Sequence, residues 1–181
     1  METRVSKFTV QAFAGGMLSA IGHDPTFAAR DYSGELECDP ATGAGASLKL
    51  SVKATSLQVS DDFSSKDKKQ IEETMQSEVL ESAKFPEIVY ECNPADAVVK
   101  ANGDGPFDVT LNGNLTLHGV TRRLTINARV IASPETLRAF GEFPIRQSDY
   151  GIKLVSVAGG SLKVKDELKC TFDFVARPAA N

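Results

Sequence analysis

Residues able to carry acid–base or metal chemistry are few: two histidines and three cysteines in 181 residues. A catalytic centre needs a base, a nucleophile or metal, and an oxyanion donor within mutual reach. His23 lies in Ile21-Gly22-His23-Asp24-Pro25, where an imidazole beside a carboxylate could serve as a general base or hold a metal or a ligand head group. A turn bounded by Gly and Pro more commonly uses such side chains to cap its own backbone. His118 lies in Leu117-His118-Gly119-Val120, a tight connection in which Gly119 can take positive φ, which favours a structural role. No HxxxH or CxxC pair supplies two metal ligands from one element, so neither a metal nor another cofactor is expected. Gly159-Gly160-Ser161 and Gly15-Gly16-Met17 lack the flanking spacing of a nucleophile elbow, a phosphate-cradling loop or a dinucleotide fingerprint. The remaining polar group is basic. Arg122 and Arg123 follow the His118 turn, Arg146 precedes Ser148-Asp149-Tyr150-Gly151, and Lys153 follows that segment. Together they could bind a phosphate through charge-assisted hydrogen bonds, and cross-strand ion pairs with Asp149 and other carboxylates are at least as good a use for them.

Positioning these residues falls to strands. Alternation with period two, one side chain toward a core and the next toward water, recurs along most of the chain. Ala46, Leu48, Leu50 and Val52 alternate with Ser47, Lys49, Ser51 and Lys53. Further alternation over 107–117, 124–130 and 168–174 predicts three more strands, and weaker patterns predict strands at 4–13, 27–38, 86–92 and 137–145. About eight antiparallel strands joined by turns favour closure, because a barrel removes the exposed edges of an open sheet; a sandwich is the other solution. One segment departs from period two. Across 61–84 the chain is polar, Ile71, Met75 and Val79 recur every fourth residue, and Ser64-x-x-Asp67 reads as a capping box. This predicts an amphipathic helical insertion near 62–84, ended by Pro86.

Composition narrows the function class. With 20 Lys+Arg against 24 Asp+Glu the net charge is −4, which builds no polyanion-binding field and excludes nucleic acid as the expected partner. Nothing approaches the roughly 18 apolar residues of a membrane helix, so no stable membrane insertion is expected. Met1-Glu2-Thr3-Arg4-Val5 lacks a basic region leading into an apolar one, which predicts a cytoplasmic protein. Cys38, Cys92 and Cys170 are an odd number at wide spacing and fit buried or inert thiols in a reducing compartment.

Gly113-Asn114-Leu115-Thr116-Leu117-His118-Gly119-Val120-Thr121-Arg122, followed by Ile145-Arg146-Gln147-Ser148-Asp149-Tyr150-Gly151-Ile152, resembles the paired signature of the YceI-like family, lipocalin-like polyisoprenoid-binding proteins of bacteria. Val79-Leu80-Glu81 through Phe85-Pro86-Glu87-Ile88-Val89-Tyr90 resembles that family's passage from helix to strand, and Ser33-Gly34-Glu35-Leu36 before Asp39-Pro40 resembles its second strand. The resemblance spans nearly the whole chain and implies one barrel domain over 1–181: an eight-stranded antiparallel lipocalin-like β-barrel, all-β apart from the inserted helix. It also implies a deep apolar tunnel holding a long isoprenoid or similar amphiphilic lipid, and a homodimer. Many relatives carry a secretory signal and work in the periplasm.

From the alternation, the residues expected to face the lumen are Phe8, Val10, Phe27, Leu48, Leu50, Val52, Ile88, Tyr90, Phe107, Val109, Leu111, Leu115, Ile126, Ala128, Phe140, Phe143, Leu168, Phe172 and Phe174. His118, Arg122, Arg146 and Tyr150 are the expected head-group contacts. The expected function is non-enzymatic binding or carriage of an isoprenoid, quinone or similar amphiphile, since apolar burial at about 25 cal/mol per Å² suffices for affinity without a catalytic residue. Two alternatives stand beside it. One is a hydrophobe-modifying enzyme using His23/Asp24 or His118 as base; the other is a solid-core, stress-related interaction protein.

Overall fold

The structure, a computed structural model, describes residues 6–15, 24–39, 42, 44–100, 106–133, 135–157 and 162–177. Alternating side chains form β1 (Lys7–Gln11), β2 (Ala14–Gly15), β3 (Thr26–Ala29), β4 (Tyr32–Glu37), β5 (Ser47–Lys53), β6 (Leu57–Val59), β7 (Glu87–Cys92) and β8 (Ala97–Lys100). They continue in β9 (Phe107–Leu117), β10 (Val120–Ala132), β11 (Leu137–Arg146), β12 (Ser156–Val157), β13 (Leu162–Val164) and β14 (Glu167–Ala176). All pairings are antiparallel, in the order β4-β5-β7-β9-β10-β11-β14-β1-β3-β6, with β8 also against β9; β12-β13-β2 form a small second sheet.

The two ends of the main order, β4 and β6, are the continuations of β3 and β5. Arg30 N donates to Ser56 O (3.1 Å) and Lys53 N to Asp31 O (3.0 Å), carrying the ladder past both bends. The sheet thus curls strongly back on itself into a lipocalin-like barrel wall. The expected strand at 27–38 is two arms either side of Arg30-Asp31, and Pro94–Asp96 likewise separates β7 from β8. Bends of this kind divide the chain into fourteen strand segments among the described residues, where sequence alternation suggests about eight. The short β6, β8, β12 and β13 contain too few residues to show a period.

The inserted helix begins at the predicted box. The Ser64 hydroxyl accepts from Asp67 N (3.2 Å) and donates to the Asp67 carboxylate (2.6 Å), satisfying one free N–H of the first turn. Helix α1 (Ser65–Thr74) then widens into a π-turn over Met75–Val79, so regular helix stops ten residues, and the π-turn five residues, before the expected 84. No residue of α1 itself is buried; Met75 and Leu80 are. Glu72 Oε1 accepts from Val59 N (2.8 Å) and Gln76 Nε2 donates to Ala54 O (3.0 Å), which tie the helical segment to the barrel end by polar bonds. Among the described residues no helix is long and apolar enough to cross a membrane.

Candidate functional site

The strands bring their inward side chains to a channel. It is lined by Phe8, Leu48, Leu50, Val52, Ile88, Tyr90, Phe107, Val109, Leu111, Leu115, Ile126, Ala128, Phe143, Phe172 and Phe174. Leu36, Cys38, Ala46, Leu124, Val130, Ala132, Leu137, Ala139 and Ala176 extend the wall, and among the described residues Asp39 is its one charged member. The space between the walls, open mouth included, is about 1180 Å³. Cys38, Asp39, Ala46, Ala132, Leu137 and Ala176 sit at strand termini on one end of the barrel and mark the mouth. An aromatic file runs along one wall: Phe143 to Phe172 at 6.2 Å, Phe172 to Phe174 at 5.6 Å and Phe174 to Phe8 at 6.4 Å between centroids. Tyr90 lies partway along the wall, with Val52 and Ile88 further in. Its hydroxyl accepts from Gly113 N (3.0 Å) and faces the carbonyls of Leu111 and Leu124, while burial pushes its pKa up to about 12. A Cβ at Gly113 would overlap the Tyr90 ring and the Glu91 carbonyl, so the absent side chain is what admits the phenol.

A second apolar chamber lies under α1. Val10, Phe27 and Leu168, expected in the tunnel, line this one, together with Ala12, Leu57, Phe63, Ile71, Met75, Val79 and Leu80. The strands show what separates the two spaces. Along β14, Phe172 faces the lumen, Cys170 faces neither, and Leu168 faces the helix side; along β5 and β6, Val52, Ala54 and Leu57 repeat that order. The two spaces share no lining residue; Ala54 and Cys170, 1% and 2% exposed, lie between their linings along these strands, and burial pushes the Cys170 thiol up to about 12.

Phe140 departs from the expected lumen set. It lies on the outer face of β11, opposite Arg129 and Asp173, with the Arg138 guanidinium 5.5 Å from its ring centroid, and lines neither chamber. Phe140 and Phe143 are an odd number of residues apart, so one flat strand cannot turn both inward. Ala139, Gly141 and Phe143 form the inward row, and Phe172 packs where a Gly141 side chain would be.

The expected head-group residues gather at the end opposite the mouth. His118 (φ 52°) and Gly119 (φ 74°) form the two-residue turn between β9 and β10. His118 Nε2 is 2.6 Å from Glu81 Oε2, its Nδ1 is 3.3 Å from the Tyr150 carbonyl oxygen, and its side chain is 13% exposed against the Phe85 ring. Arg122 Nε donates to Asp149 O (3.1 Å). Tyr150 is buried, which raises its hydroxyl pKa, with the Asp149 charge adding to the effect. Arg146 is exposed on the outer face of β11 near Asp166, whose carboxyl is held below its ordinary value first by the Ser148 hydroxyl and then by the Ser148 N–H. None of the four lines the lumen. Asp24 Oδ1 accepts from Ala14 N (2.7 Å), which commits it to holding β2; His23 lies outside the described residues.

These features define the class: a lipocalin-like antiparallel barrel with an inserted helix over one end and an apolar interior. Residues 4–176 match the YceI-like domain model, and the chain belongs to that family. A UPF0312 protein of Shewanella baltica is 31% identical over 130 residues, which span 68% of this chain and 62% of the relative. One from Azotobacter vinelandii is 30% identical over 128 residues, 70% of this chain and 60% of the relative. The matched region thus covers about six-tenths of these relatives' length. Among solved structures, Burkholderia cenocepacia BcnA superposes with a TM-score of 0.72 at 18% identity, covering 97% of this chain and 98% of the other. A polyisoprenoid binding domain from Saccharophagus degradans, implicated in plant cell wall breakdown, gives 0.66 at 15% identity over 96% and 94%. At such identities the likeness establishes the fold.

Proposed function

We propose that this protein binds and carries a long-chain isoprenoid, quinone or similar amphiphilic lipid in the barrel lumen, without transforming it. The observation that carries this reading is the lumen wall, apolar on every strand, with Asp39 at the mouth the one charged residue among the described lining. Such a wall rewards an alkyl or prenyl chain by desolvation and offers no group to polarise a bond. The structural neighbour described as a polyisoprenoid binding domain supports the same ligand class. Two observations weigh against the enzyme alternative: both ring nitrogens of His118 face protein oxygens, and Asp24 is bonded to the backbone. The head group then lies at the mouth, and the set around His118 serves to hold the far end together.

Native mass spectrometry of protein purified from its own host, followed by solvent extraction, tests the proposal. A stoichiometric prenyl or other lipid mass is expected, and the same spectrum reports whether the protein is a dimer. Protein that is lipid-free as isolated and shows no thermal shift with added isoprenoids overturns it.

A further inference from the structure

The helix-side chamber has no part in the lumen reading, yet it is the more open of the two, with about 1690 Å³ between its walls, open side included. Its floor is the lower barrel, with Val10, Phe27 and Leu57, and its roof is the apolar stripe of the helical segment, with Ile71 and Met75. That stripe packs on the core only in part: Ile71 is half-buried, none of the ten residues of α1 is fully buried, and polar ties from Glu72 and Gln76 help hold the helical segment. Protein interiors pack at crystal-like density, and an apolar stripe packed only partly over an apolar floor leaves room that an apolar occupant would fill favourably. The π-turn at Met75–Val79, a form concentrated at functional sites, sits on the same wall.

The polar lining indicates what kind of occupant. Asp67 is engaged with the Ser64 hydroxyl at the helix cap, while Gln70 and Thr74 are neutral. Lys163 lines the opening and has no ion pair among the described residues; Lys153 and Lys165, exposed nearby in sequence, have none either. An apolar slot with one uncommitted cation at its entrance suits a chain ending in an anion.

We propose that the helix-side chamber is a second binding site, separate from the lumen, that takes a single-chain amphiphile with an anionic head, the chain between α1 and the sheet and the head at Lys163. No residue lines both spaces, so the two sites are expected to fill independently.

The protein has three methionines, so methyl-¹³C-methionine labelling yields three signals, with Met75→Leu assigning the one in the chamber. Palmitate, kept below its micelle concentration, is expected to shift the Met75 signal, and 1-hexadecanol to do so about tenfold more weakly, the ratio of a 1.4 kcal/mol difference. Lys163→Glu weakens the palmitate response about tenfold and Lys163→Arg restores it. Ala128→Trp, which fills the lumen, leaves the Met75 response to palmitate intact. Three results overturn the proposal: no Met75 shift with palmitate, equal responses to palmitate and hexadecanol, or a response abolished by Ala128→Trp. Isoprenoid binding measured on the same samples separates failure of this site from failure of the lumen reading.

Discussion

The two ends of the barrel are built on opposite principles. At the mouth, Leu36, Ala46, Ala132, Leu137 and Ala176 present apolar surface, and Asp39 is the lone charge among the described lining residues. At the hairpin end, polar side chains are bonded to the protein itself: His118 to Glu81 and Tyr150, Gln147 to Lys165 O, and Ser148 to Asp166. Glu81 and His118 are also the two non-glycine residues with positive φ among the described residues, at 43° and 52°. Bonding these two residues to each other fixes a backbone arrangement that neither favours alone. The richest polar motif therefore closes an end, and the surface suited to a ligand carries no motif.

The largest expected effect tests the lumen wall between the two ends. Gly113→Val forces a side chain into the Tyr90 ring and the Glu91 carbonyl, and should cost about 3 kcal/mol or more in urea unfolding. A loss below about 1 kcal/mol would show that Tyr90 can relocate and that the wall is not packed as described.

Ala128→Trp acts on the lumen itself: amphiphile binding to the lumen should fall about tenfold or more by titration, with stability changed by no more than about 1–3 kcal/mol. Undiminished binding would place the ligand outside the lumen. Tyr90→Phe leaves the buried Gly113 N–H without its acceptor and should destabilise by about 1–3 kcal/mol, read as a lower melting temperature. Glu81→Gln weakens the bond to His118 and should cost about 1–2 kcal/mol, with lumen affinity unchanged. A loss of affinity in that variant would return the His118 cluster to the binding site.

The smallest effect belongs to the outer wall, where Arg138 grips Asp173 through two hydrogen bonds of 2.8 and 2.6 Å. Those bonds, with the Arg138 charge, lower the Asp173 pKa in the fold. A carboxylate whose folded pKa is depressed stabilises the fold above its unfolded pKa, and the contribution is lost as pH falls through the folded value. Arg138→Ala should change stability least of these variants at neutral pH, because the guanidinium is exposed, and the difference from wild type should shrink at pH values below the ordinary carboxylate range.

Period two made the β class legible, and the strands over 107–117 and 168–174 show it most clearly because their inward rows are almost wholly apolar. Ser64-x-x-Asp67 likewise announced the helix start, since capping is a local bond between residues three apart. Phe140 was not legible from hydrophobicity alone: a large aromatic near Phe143 looks inward until strand parity is enforced. The aliphatic and alanine positions at the mouth, such as Ala132, Leu137 and Ala139, escaped notice because a small or isolated side chain gives little signal of which cavity it faces. His118 invited a functional reading because an imidazole beside a basic run resembles chemistry, and only its partners across 37 and 32 residues show where its nitrogens are bonded.

By itself, then, the sequence determined the class of fold, the phase of β9, β10 and β14 and the start of the helix, all properties of neighbours along the chain governed by local sterics and alternation. The tertiary structure decided that the inward side chains line two spaces, that Val10, Phe27 and Leu168 belong to the second, that Phe140 faces outward, and that the signature polar residues lie away from the mouth. Those outcomes depend on which strand positions meet across the barrel, and the pairing register that sets this is a property of distant segments brought together.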